Sequence, residues 1–108
     1  GGGDDVRVEA VAPLFADIFE AGAARLTCRV ANLAGAEGLE VAWLKEDGER
    51  LPTAVGPPAL QPNGLFGAAA VASVCAEDWE AGRTFTCRVG HPDLLFPREV
   101  TLRKPDGE

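Results

Sequence analysis

The chain has 108 residues, of which 46% are hydrophobic and 25% charged, enough for one globular domain and too few for a second. Seventeen Asp and Glu against ten Lys and Arg leave a net charge of −7, so the average field repels phosphate backbones and anionic lipid; neither nucleic acid nor membrane is expected as a partner. No run approaches the roughly 20 apolar residues of a membrane span, and the opening Gly-Gly-Gly-Asp-Asp lacks the basic and apolar regions of a signal peptide.

Gly1–Gly3 reads as a linker or cloning remnant, with the folded unit at 4–105. From there a period of two dominates, which predicts strands. Val6 to Ala12 alternates up to Pro13, and Ala24 to Val30 alternates with Leu26, Cys28 and Val30 on one face. Between them, Leu14, Phe15, Ile18 and Phe19 fall at helical spacing between a proline and Gly22, which predicts a short helix at one end of the domain. Leu39 to Lys45 places Leu39, Val41 and Trp43 together, so Trp43 points inward, and Asp47-Gly48 marks a turn. The four prolines between Leu51 and Asn63 allow one short edge strand at most. Leu65 to Cys75 is rich in alanine, a helix former, yet its setting among strands predicts a strand. Ala76 to Gly82 reads as one helical turn, Phe85 to His91 as a strand with Phe85, Cys87, Val89 and His91 on one face, and Arg98 to Arg103 as the last strand. The fold class is therefore all-β, with about seven short strands.

Three cysteines leave an odd thiol once a pair forms. Cys28 shares its face with Leu26 and Val30, and Cys87 with Phe85 and Val89, so both point into the core from different strands. Ala72 and Val74 take the inward face of their strand, which turns Cys75 outward at its end. Parity thus pairs Cys28 with Cys87 in a loop of about 60 residues, worth on the order of 4 kcal/mol in the chain-entropy model.

Two buried strand cysteines with a tryptophan 15 residues after the first are the pattern of an immunoglobulin sandwich, and the resemblance implies that the strands form two antiparallel sheets. The run Phe85-x-Cys87-x-Val89-x-His91 resembles the signature of constant-set immunoglobulin domains, with Phe85 lacking the hydroxyl of a tyrosine corner. Pro13 to Phe19 ahead of Leu26-Thr27-Cys28, with Ala72 to Trp79 ahead of Phe85-Thr86-Cys87, resembles the third constant domain of the IgM heavy chain and the matching Fc domain of IgA. Departing from the IgM pattern, neither Asn63-Gly64-Leu65 nor Asn32-Leu33-Ala34 is a glycosylation sequon. The resemblance implies an interchain disulfide for Cys75, and a secreted, extracellular Fc domain in heavy-chain assembly, polymerisation and receptor recognition. It also implies the partners: a second heavy chain, neighbouring antibody constant domains, and an Fc or polymeric immunoglobulin receptor. The alternative is a constant-type domain of a cell-surface receptor or adhesion protein.

No enzyme is expected, and no cofactor or metal. His91, the only histidine, reads as a structural, hydrogen-bonded residue, and nothing places it beside Cys75 as a base beside a thiol. Candidate contact residues are Phe15 and Asp17 on the predicted helix and the apolar run Leu94, Leu95 and Phe96 in the last loop. Packing against their own domain is the competing reading for each. The proline-rich stretch from Pro52 to Pro62 is a third candidate segment, with a plain linker as its alternative.

Overall fold

A computed structural model describes residues 5–106. The expected linker Gly1–Gly3 and the boundary residue Asp4 lie outside the described residues. In sequence order the elements are β1 (Arg7–Val11), α1 (Phe15–Ala21), β2 (Ala23–Leu33), β3 (Glu40–Leu44), β4 (Arg50–Leu51), β5 (Thr53–Val55), β6 (Ala59–Leu60), β7 (Phe66–Cys75), α2 (Ala76–Glu80), β8 (Phe85–Gly90) and β9 (Arg98–Leu102). One sheet runs β1-β2-β7-β5 with β6 also on β7; the other runs β4-β3-β8-β9. All the pairings are antiparallel.

Period-two burial builds both layers. On β2, Ala24, Leu26, Cys28 and Val30 are buried while Arg25 and Arg29 face water. On β8, Phe85, Cys87 and Val89 are buried while Arg88 is exposed. These inner faces, with Trp43 of β3 and Ala70, Ala72 and Val74 of β7, form one apolar cluster between the sheets. The alanine-rich β7 is a strand because it has partners on both sides: β2 along nearly its whole length, and β5 and β6 opposite. Pairing at every residue outweighs helix propensity worth only tenths of a kcal/mol per residue. The small side chains also have a packing role, since Ala70 lies across from Cys28 and its carbonyl accepts the Trp43 indole N–H at 3.2 Å.

Around Leu51–Asn63 the structure departs from the expected single edge strand. Three short pieces, β4, β5 and β6, raise the total among the described residues to nine strands. Pro52 separates β4, which pairs with β3, from β5, which pairs with β7, so the backbone switches sheets at that proline. Thr53 fastens the crossing: its Oγ1 accepts the Trp43 backbone N–H at 3.2 Å and donates to the Leu51 carbonyl at 3.0 Å. Two buried residues lie outside the simple alternation. Leu44 is 5% exposed on the parity opposite to Trp43, and Leu33 is fully buried beyond an irregularity in β2 between Val30 and Leu33.

Candidate functional site

The centre of the sandwich is closed chemistry. Cys28 and Cys87 are joined in a disulfide with Cα atoms 6.4 Å apart, and Trp43 stands opposite Cys87 in the neighbouring strand with no exposed surface. No buried side-chain polar atom among the described residues lacks a hydrogen-bond partner. The third cysteine is placed differently. Cys75 is the last residue of β7 and the N-cap of α2, exposed and free, opposite Ala23 at the start of β2.

Immediately after it, α2 buries Trp79 and little else. Helix α1 is also at this end, because it leads directly into β2 at Ala23. Its first turn forms on the Leu14 carbonyl, which accepts N–H groups from Asp17 at 3.1 Å and Ile18 at 3.2 Å. Gly22 ends it at φ 68°, in the left-handed region where a side chain is disfavoured, and returns an N–H to the Ile18 carbonyl at 2.9 Å. A seven-residue helix can point few residues inward, and only Ile18 is buried. Phe15 and Phe19, at i and i+4, stack on each other at 6.3 Å between centroids while 74% and 81% exposed. Core filling by this helix is thus confined to Ile18; Leu14, Phe15 and Phe19 are presented to water, and Asp17 is exposed beside them. Between the helices lies an apolar groove lined by Pro13, Phe15, Ile18, Trp79, Lys104 and Pro105. Lys104 is ion-paired with Glu80 across it.

At the opposite end the loop after β8 is tied to the loop after β2. His91 is buried; its Nδ1 accepts the Asp93 N–H at 3.0 Å, which leaves Nε2 to donate to the Gly35 carbonyl at 2.9 Å. Asp93 completes the tie by accepting the Ala34 N–H at 2.9 Å. Gly38 makes the close approach possible: a Cβ there would sit 2.8 Å from the Pro92 ring, and its φ is 82°. Sequence reading found His91 but not Asp93, whose partner lies 59 residues away. The run Leu94, Leu95 and Phe96 divides in its exposure. Leu94 is drawn into a turn on the His91 carbonyl and packs against the core, whereas Leu95 is 89% and Phe96 75% exposed.

The two ends do not combine into a catalytic pair. Cys75 lies beside the first residue of β2 and His91 beyond its last, which at about 3.3 Å per residue separates them by roughly 30 Å. Among the described residues no group of three His, Cys, Asp or Glu could hold a metal ion. No helix there is long and apolar enough to cross a membrane.

The sequence profile of the immunoglobulin C1-set domain matches residues 11–94. The protein is 42% identical to the C region of the Ig mu chain of Suncus murinus, over 95% of its own length and 23% of that relative. It is 36% identical to the C region of the Ig mu chain of Canis lupus familiaris, over 94% and 23%. To the immunoglobulin heavy constant alpha of Equus asinus it is 30% identical, over 88% and 27%. It thus spans about a quarter of the length of the curated relatives it matches. In fold it is similar to the IgNAR antibody domain C3, with a TM-score of 0.79 at 22% identity, over 93% of this protein and 95% of that domain.

Proposed function

The chain belongs to the immunoglobulin C1-set family, and from that premise we propose that it serves as an Fc constant domain in a secreted heavy chain of the mu type, corresponding to the third constant domain. The family is non-enzymatic, so the domain acts through its surfaces. In this reading it lies beside its counterpart in a second heavy chain, joins neighbouring constant domains, and offers Phe15 and Asp17 of α1 and Leu95 and Phe96 to an Fc or polymeric immunoglobulin receptor. The missing sequon counts toward the alpha class, but the identities to mu regions, 36% and 42% against 30%, outweigh it.

Cys75 carries the proposal. A sandwich that already has its core disulfide keeps a third cysteine exposed at a strand end, where it cannot reach the other two and can reach another polypeptide. We assign it an interchain disulfide. Mass analysis under non-reducing conditions of the assembled heavy chain, wild type and Cys75→Ser, tests this. Loss of the largest covalent species in the variant, with folding intact, is the expected result. An unchanged covalent pattern with Cys75 alkylatable throughout contradicts it and returns the domain to the receptor or adhesion class.

A further inference from the structure

The chain has two asparagines, Asn32 and Asn63, and their side chains are joined end to end. Asn63 Nδ2 donates to Asn32 Oδ1 at 3.2 Å, and Asn32 Nδ2 donates to the Asp5 carbonyl at 3.0 Å. The two amides thereby fasten the turn between β6 and β7, and the irregular part of β2 where Asn32 has φ 68°, to the residues that lead into β1. Each link is made by one amide donor, so loss of either NH2 group breaks the connection.

Asn63 is also placed for a reaction of its own. Asparagine is among the chemically labile side chains. It is followed by Gly64, and both residues are exposed. The turn needs glycine there, since φ is 83°, and nothing lies within 4 Å of the position a Cβ would take, so the Gly64 nitrogen is unshielded. Asn63 Oδ1 accepts the Leu65 N–H at 3.0 Å, and the ring closed by that bond contains both Asn63 Cγ and the Gly64 nitrogen. The same N–H stabilises negative charge on Oδ1 when that nitrogen adds to Cγ. Opposing the addition is one turn hydrogen bond, from the Gly64 N–H to the Gln61 carbonyl at 2.9 Å. Asn32 differs on every count, because it precedes the fully buried, branched Leu33 within a paired strand.

We propose that Asn63 is a site of spontaneous deamidation, and that the reaction releases the β6–β7 turn from the start of β1. The Gly64 nitrogen gives its proton to hydroxide and bonds to Asn63 Cγ. The Cγ–Nδ2 bond breaks, and Nδ2 takes a proton from water and leaves as ammonia, with a succinimide remaining. Water then adds to one ring carbonyl and breaks its bond to the Gly64 nitrogen. Opening at Cγ gives aspartate, and opening at the main-chain carbonyl gives isoaspartate; nothing is oxidised or reduced. Either product has lost the donor that held Asn32. Isoaspartate also lengthens the backbone inside a turn closed by the Gln61 N–H on the Leu65 carbonyl at 2.8 Å.

The test ages the 108-residue protein in mildly alkaline buffer, native and in urea, and digests it with trypsin, which separates Asn32 (residues 30–45) from Asn63 (residues 51–83). A gain of one mass unit in the Asn63 peptide alone is expected, with isoaspartate among the products as detected by isoaspartyl methyltransferase. Because one turn hydrogen bond must open, the native rate should lie within about tenfold of the rate in urea. The aged protein and an Asn63→Asp variant should both shift the NMR signals of the Asn32 side-chain amide and of Asp5 and Val6, and leave the Trp43 indole signal in place. The proposal is overturned if Asn63 stays intact in the native protein while the unfolded chain converts, if Asn32 deamidates equally fast, if no isoaspartate forms, or if the Asn32 signal is the same in the product and in Asn63→Asp as in the starting protein.

Discussion

The centre of the sandwich and its α1–α2 end contain the same kinds of residue used in opposite ways. At the centre, two cysteines are bonded to each other and Trp43 is buried with its N–H satisfied by the Ala70 carbonyl. At the end, Cys75 is free and Phe15 and Phe19 are mostly exposed on a helix that anchors itself through Ile18. The difference teaches where stability and association are divided: sulfur and aromatic surface satisfied within the domain hold the fold, and those left to water are available to other polypeptides.

The strongest test of that division is Trp43→Ala, which removes the largest fully buried side chain and the indole N–H that the Ala70 carbonyl accepts. A loss of about 3–5 kcal/mol in urea unfolding is expected, enough to leave the domain marginal. The pair Cys28→Ala with Cys87→Ala should cost about 2–5 kcal/mol by the same measurement. If either change proved neutral, the centre would not be the source of stability.

The far loops sharpen the comparison at smaller scale. Gly38→Ala introduces both a left-handed strain and a contact against Pro92, and about 1–2 kcal/mol of destabilisation should follow. Asp93→Ala releases the Ala34 N–H and should cost about 1 kcal/mol, with faster amide hydrogen exchange at Ala34 as its specific signature. Smallest of all, Phe19→Ser should change stability by less than about 0.5 kcal/mol, because the ring is 81% exposed. A larger loss would mean that α1 supports the core through more than Ile18.

How much of this was readable from the sequence follows from the range of the interactions. Alternation within single strands sufficed for Cys28, Cys87, Trp43 and the outward Cys75, because side-chain parity is a local property. The strands around Pro52 were not readable, since which sheet each two- or three-residue piece joins depends on partners distant in sequence and on Thr53 bridging Trp43 and Leu51. Leu94 is a similar case: an apolar run shows three candidates, and the turn on His91 decides which one packs against the core. Asp93 needed the loop contact itself, since its partner Ala34 lies 59 residues away.

One sulfur pair is sealed in the core while the remaining thiol meets solvent, and both the fold and the assembly role depend on that division. Alkylation of the isolated 108-residue domain, oxidised and with no partner chain present, followed by peptide mapping measures this directly. Label confined to Cys75, with Cys28 and Cys87 recovered as one linked peptide pair, is the predicted result. Cys75 found linked to Cys28 or Cys87 within the same molecule, or label on either of those two, contradicts it.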